Sequence, residues 1–251
     1  MKISVTIITL NEERNIERCI RSVQEVADEI IVLDAFSSDN TPSICKSLNV
    51  RFEQRKWEGY TSAKNYLNSL AQYDYILSMD ADEAVDSTLR EEILGLKHLN
   101  EPEIYSLNRL TNYCGKWIKH SGWYPDVKVR LFPKKDCYWS GEYVHEVLVF
   151  PASIPVKQLN GHLEHYSYYS YKEHRERADR YSKLTAQKMF EAGDRASIFK
   201  PYLSGLMRFV KMYILQMGFL DGKMGFKIAQ ISCQSNVFKY KELRRITQEA
   251  L

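Results

Sequence analysis

Apolar residues in the first third of the chain come in short unbroken runs, separated by stretches in which they recur every three or four positions. Ile3 to Leu10 (ISVTIITL) and Glu29 to Asp34 (EIIVLD) are rich in β-branched residues and read as buried strands; Val50 to Phe52 opens a third and Ile76 to Glu83 (ILSMDADE) contains a fourth. After the first run, Ile16, Cys19, Ile20 and Val23 make one helical face, with Asn11 expected as the cap and Glu12 and Glu13 in the first turn. Thr41 and Pro42 carry the cap and first-turn signature of a second helix, Thr61 to Ala71 reads as a third, and another is expected to begin near Asp86. Alternating strand and helix predicts parallel strands with right-handed crossovers.

Past about Pro102 the rhythm changes. Ile104 to Thr111, Val127 to Phe132 and Glu142 to Phe150 read as strands of a mixed sheet, separated by aromatic, glycine-bearing loops such as Cys114 to Tyr124. Trp117, Trp123, Tyr124, Tyr138 and Trp139 are platforms for sugar rings or core filler, with core the more frequent role. A helix is expected from Ser170 or Tyr171 to Gly193, with Ala178, Tyr181, Thr185 and Met189 on one face, and a basic amphipathic helix over Pro201 to Phe219 that lies on a membrane or packs on the core. The fold class is α/β: residues 1–168 form the main domain, split into a Rossmann-like nucleotide-binding half (1–101) and an acceptor half (102–168), and 169–251 form a C-terminal helical basic segment.

Composition narrows the class. At 251 residues, 44% hydrophobic and 27% charged, the chain can bury a substantial core. Its five cysteines are scattered without C-x-x-C, which disfavours a disulfide framework or zinc site and points to a reducing compartment. The start lacks a secretory pattern and no long apolar window is present, so a cytoplasmic protein is expected. The net charge of +3 conceals an asymmetry: from Lys172 onward there are 16 Lys and Arg against 8 Asp and Glu, and before it 19 against 24. A basic end of this kind suits an anionic surface, nucleic acid or phospholipid, or is simply solvated; with phospholipid the protein would be peripheral on the inner face of the cytoplasmic membrane.

Asp80, Asp82 and Glu83 end the fourth run, at the carboxyl end of a strand, where open α/β sheets bind ligands. If the backbone stays extended there, Asp80 and Asp82 share a face and reach one bound group. Such oxygen ligands suit Mg²⁺ or Mn²⁺, with substrate phosphates and water completing the shell. The first turn, TLNEE, holds no glycine-rich phosphate loop, so P-loop and dinucleotide chemistry are disfavoured.

The order of ISVTIITLNEERNI, EIIVLDAFSSDNT, SAKNYL and DYILSMDADE resembles the GT-A fold glycosyltransferases of family 2. VRLFPKK, GEYVHE, LNGHLEHYSY, RADRYSKL and GFLDGKMGF are similar to the WaaE-like β-glucosyltransferases of bacterial lipopolysaccharide core assembly. The resemblance implies inverting transfer from a nucleotide-sugar donor, most simply a UDP-sugar, to a glycan or glycolipid acceptor, with Mn²⁺ or Mg²⁺ and no nucleic acid. It implies that Asp34 reads the nucleobase, that Leu10, Asn11 and Glu13 border that pocket, and that Asp80 bonds the ribose. Lys64 stands where many relatives have an arginine facing the diphosphate or base. Asp82 and His165 are implied as metal ligands, Glu146 as the catalytic base, and Gly141 as a residue of the acceptor loop; Asp126, in GWYPDVKVR, is the alternative base because it too lies in the acceptor half. The ordinary readings are a loop cap for Asp34, a solvated helix position for Lys64, an exposed strand pair for His145 and Glu146, and satisfied structural histidines at His162 and His165. Two other function classes fit acidic strand ends: a nucleotidyltransferase, which usually carries a glycine-rich basic loop absent here, and a phospho-acceptor signalling module, which leaves the second half unexplained.

Overall fold

In β1 (Ile3–Thr9) Ile3, Val5 and Ile7 enter one hydrophobic layer while Ile8 faces another. β2 (Glu29–Asp34) and β4 (Tyr75–Asp80) divide in the same way, Val32, Leu77 and Met79 against Ile31, Leu33 and Ile76. Strands buried on both faces are what parallel crossovers produce, and this explains the unbroken apolar runs. The computed structural model describes residues 1–97, 103–141 and 146–250. Within them α1 (Ile16–Val23), α2 (Thr41–Ser47), β3 (Arg51–Gln54) and α3 (Tyr60–Leu70) complete the alternating half, and β3, β2, β1 and β4 lie side by side in parallel.

After β4 come β5 (Glu83–Val85), α4 (Ser87–Leu96), β6 (Ile104–Tyr113), β7 (Lys116–Trp117), β8 (Asp126–Pro133), β9 (Tyr138–Ser140), β10 (Val147–Val149), β11 (Val156–Gln158) and β12 (Leu163–Tyr168). The sheet continues from β4 through β8, β6 and β12 to β5, with β8 antiparallel to β4 and β12 antiparallel to β5, so it is mixed as expected. Of the strand expected over 142–150 the described part is β10; residues 142–145, His145 among them, lie outside the described residues. Asp86 caps α4 by accepting from Leu89 N at 2.7 Å. The chain divides into two compact units, Met1–Arg109 with Asp126–Tyr166, and Leu110–Pro125 with Ser167–Leu251.

The second unit holds α5 (Tyr171–Glu191), α6 (Lys200–Val210), a wider helical turn over Lys211–Leu215, and α7 (Gly222–Glu249). Its core gathers Tyr113, Ile118, Met212, Ile228 and Ala229, with Trp123 and Tyr168 packed against them. Trp123 is therefore core filler, while Trp139 of the first unit, 5% exposed, packs edge-on against Phe132. His174 is buried and its Nδ1 lies 2.8 Å from Tyr113 Oη. Burial, reinforced by the Arg177 charge, lowers its imidazole to about 4.

Three local expectations are corrected. α1 starts at Ile16, not after Asn11: Asn11 adopts φ +54 and its Oδ1 accepts from Ser38 N at 2.8 Å, bonding another loop rather than a helix end. Thr41 is the first residue of α2, and its hydroxyl accepts from Glu12 N at 2.9 Å instead of capping. The sequence leaves open which face of α5 turns inward: the buried row is His174, Ser182 and Ala186, while Tyr181 and Thr185 are exposed, because α5 lies close to α7, with Ser182 Oγ 2.6 Å from Ser235 Oγ. The helix over Pro201 to Phe219 stops at Leu215, and Met217 follows at φ +52.

Candidate active site

The carboxyl ends of β1, β2 and β4 are tied together by the backbone. Ala81 N donates to Ile8 O at 3.2 Å and Ala35 N to Thr9 O at 3.0 Å. The β1–α1 and β2–α2 loops are then stitched side chain to backbone: Asn11 N donates to Ser37 Oγ at 2.7 Å, Glu13 N to Asp39 Oδ2 at 3.0 Å, and Asn40 N to Glu13 Oε2 at 3.0 Å. Asp34 is fully buried and accepts from Ser37 N and Gln54 Nε2, both at 2.9 Å, and from the Ser37 hydroxyl. Leu10 stands beside this group, 49% exposed. Leu10, Asn11, Glu13 and Asp34 are thus one loop cluster at the strand ends.

β4 stops at Asp80, Ala81 and Asp82 form a turn, and Glu83 begins β5. The extended backbone that would set Asp80 and Asp82 on one face is absent, and the two carboxylates take different partners. Asp80 meets Lys64 Nζ at 3.2 Å and Arg130 Nη2 at 2.9 Å; Asp82 Oδ2 lies 3.2 Å from His165 Nε2. The second pairing follows from register, because His165 of β12 stands opposite Glu83 of β5 and Tyr166 N donates to Asp82 O at 2.8 Å.

Lys64 is 2% exposed, not solvated. Its ammonium is shared between Asp80 Oδ1 and Glu146 Oε1, 3.0 Å away, and lies 4.7 Å from the Trp139 ring centroid. The SAKN motif explains how Glu146 gets there, since residues three and four apart share a helix face. From that face of α3, Thr61 Oγ1 donates to Gly141 O at 2.8 Å, and Asn65 exchanges two 2.8 Å bonds with the Trp139 backbone. Gly141 itself sits at φ +116, a conformation suited to glycine.

Sequence reasoning missed the cations that organise this acidic ground. Arg130, 4% exposed, bridges Asp80 and Glu83 Oε1, the latter at 2.8 Å; Arg109 reaches Glu83 at 3.4 Å and Asp126 at 2.7 Å; Lys128 meets Asp126 at 3.0 Å. The available signal was Arg130 itself, an arginine inside the otherwise apolar strand of VRLFP, which demands a buried carboxylate. Burial alone would raise the Asp80 carboxyl, but the Lys64 and Arg130 charges hold it well below the usual range. Asp126, against a similar burial effect, is lowered by Arg109 and Lys128. Asp80, Arg109, Lys128, Arg130, Trp139 and Glu146 line a cleft of about 400 Å³.

Among the described residues no group of three or more His, Cys, Asp or Glu could enclose a metal. Asp82 and His165 nevertheless fit Mn²⁺ or Mg²⁺ of the kind that borrows further oxygens from phosphate and water, because a carboxylate and an imidazole converge at 3.2 Å and both are partly accessible, 19% and 15%.

The family model for glycosyl transferase family 2 matches residues 4–148. An uncharacterised glycosyltransferase of Rickettsia typhi is 30% identical over 98% of this chain and 88% of its own. A lipopolysaccharide core biosynthesis glycosyltransferase of Rhizobium meliloti is 26% identical over 90% and 86%. Among solved structures, TarS of S. aureus with UDP-GlcNAc is similar at 14% identity over 100% of this chain and 92% of that one, TM-score 0.49.

Proposed function

The chain belongs to glycosyl transferase family 2 and is a nucleotide-sugar glycosyltransferase, and from that premise we propose that it works in lipopolysaccharide core assembly, by inverting transfer from a UDP-sugar with Glu146 as general base. The observation that supports this reading most is the shared ammonium of Lys64, which sets the Glu146 carboxylate beside Asp80 at the head of the cleft.

Leu10, Asn11, Glu13 and Asp34 border the nucleobase, Asp80 bonds the ribose, and Lys64 faces the diphosphate. Asp82 and His165 would hold a divalent cation, which supplies Lewis-acid charge to the departing diphosphate. The acceptor hydroxyl enters the cleft and gives its proton to a free Glu146 oxygen as its own oxygen bonds to C1 of the sugar and the C1–O bond to UDP breaks. A single displacement of this kind inverts the anomeric centre through an oxocarbenium-like transition state. Asp126 is the weaker candidate for the base, since two cations bond it and lower its proton affinity. Gly141 and the cleft wall at Arg109 and Lys128 meet the acceptor, a glycan or glycolipid. For such an acceptor the enzyme works in the cytoplasm at the inner face of the cytoplasmic membrane.

A donor panel tests the reading: UDP-, GDP- and dTDP-sugars with Mn²⁺, scored for nucleoside diphosphate release. UDP release is expected. Formation of a nucleotide sugar from a nucleoside triphosphate and a sugar phosphate, with no release from any donor, would replace it with a nucleotidyltransferase.

A further inference from the structure

We propose that the outer face of α6, with the residues just before and after it, docks on an anionic lipid bilayer and lies in the headgroup region without crossing it. Tyr202, Leu203, Leu206 and Met207 each leave more than half of their surface exposed, and Phe199 and Leu215 at the two ends stand at 78% and 72%. The other side of the helix is already used: Pro201 and Gly205 are buried, and a Cβ on Gly205 would come 2.5 Å from Val237 Cγ2 and 3.2 Å from Cys233 O of α7. Close approach on that side turns the larger apolar residues outward. No described helix is long and apolar enough to span a membrane, so an interfacial position is the one this amphipathic face suits.

Charge selects the occupant. From Arg195 to Lys241 the chain carries eight Lys and Arg and one carboxylate, Asp221. That carboxylate is buried and taken by Lys119 N, His120 N and His120 Nδ1 at 2.9 to 3.2 Å, so it offsets nothing at the surface. Lys200, Arg208 and Lys211 are exposed among the apolar residues, where long stems follow hydrocarbon and the charged ends reach phosphate. A second copy seated on this face would oppose cations to cations with no anion between them. A bilayer containing acidic lipid offers both hydrocarbon and negative charge. The proposal extends the membrane-side placement given above and is independent of the catalytic assignments, so vesicle binding and sugar transfer fail separately.

The test is sedimentation of the full chain with phosphatidylcholine vesicles, with and without phosphatidylglycerol. Binding should require phosphatidylglycerol and weaken as salt rises. Leu203→Glu/Leu206→Glu should lower it by roughly tenfold or more, because both apolar anchors become charged, and Lys200→Glu/Lys211→Glu should abolish the lipid preference; UDP-sugar hydrolysis in solution should be unchanged in both. These positions are exposed, so an unaltered unfolding temperature is expected and verifies folding. Equal binding to the two vesicle types at low salt overturns the proposal. So does undiminished binding by Leu203→Glu/Leu206→Glu, or a dimer that this variant dissociates in a protein that ignores vesicles.

Discussion

Arg130→Met tests whether the buried ion network, rather than β4 alone, holds Asp80 in position. The guanidinium is 4% exposed and donates to Asp80 Oδ2 at 2.9 Å and to Glu83 Oε1 at 2.8 Å. Without it, the wholly buried Glu83 side chain keeps a donor from Asp80 N at 3.0 Å and a long contact to Arg109 at 3.4 Å. Removing one partner of a buried pair costs about 3–5 kcal/mol, because the other charge is left uncompensated. For a domain of this size that is a fall of roughly 6 to 20 °C in unfolding temperature. Arg130→Met/Glu83→Gln should recover most of the loss, since both partners then go together. The effect has a pH signature. Asp80 is held below its unfolded value, so its contribution is complete above about pH 4 and disappears as pH falls through the lower folded value. The gap between wild type and Arg130→Met should therefore be flat from neutral pH down to about 5 and narrow below 4. Thermal and urea unfolding across that range measure it. A single variant within about 1 kcal/mol of wild type, or a double variant no better than the single, would refute the reasoning.

Glu146→Gln should keep donor affinity and lower transfer by roughly 10²- to 10⁴-fold; if it retains turnover while Asp126→Asn binds donor and is inactive, the base is Asp126. Asp82→Asn should remove the Mn²⁺ dependence of donor binding in calorimetric titration, and His165→Ala should raise the Mn²⁺ needed for activity, with partial rescue by excess; metal-stimulated binding equal to wild type in Asp82→Asn removes that carboxylate from the site. His174 is buried neutral with its folded value lowered to about 4, so its contribution is full above about 6.5 and is lost as pH falls toward 4, a span worth about 3 kcal/mol. Urea unfolding at several pH values should show that loss in wild type and not in His174→Gln, and equal pH slopes would contradict it.

The parallel half was legible because its strands are buried on both faces: ISVTIIT, EIIVLD and YILSMD each supply two layers of apolar side chains, a pattern no exposed segment shares. Helix ends were less so, since Asn11 and Thr41 spend their hydrogen bonds on each other's loops, a choice made by tertiary contact and invisible to local spacing. The buried face of α5 was not legible for a related reason, close helix packing favouring Ser182 and Ala186 over the bulkier Tyr181. Within the site, Asp80 and Asp82 could be found from a strand ending in acid, but the separation of their partners depends on a turn of two residues that composition does not announce. That Arg130 and Lys64 share Asp80 is invisible in sequence, because that carboxylate lies 50 and 16 positions away from them.

The antiparallel seam of β12 on β5 carries a consequence for assembly. The family match ends at residue 148, yet His165 and the strand that covers the β5 edge lie beyond it. A nascent chain that has emerged only that far holds Asp82 without its imidazole and leaves β5 with open backbone groups at the sheet margin. Closing that margin joins segments about eighty residues apart, a long loop to close and hence a late event in folding. The Asp82–His165 contact should therefore form last, after the β1–α1 and β2–α2 loops are already in place, and a protein cut between 148 and 163 should keep the parallel half while losing that contact.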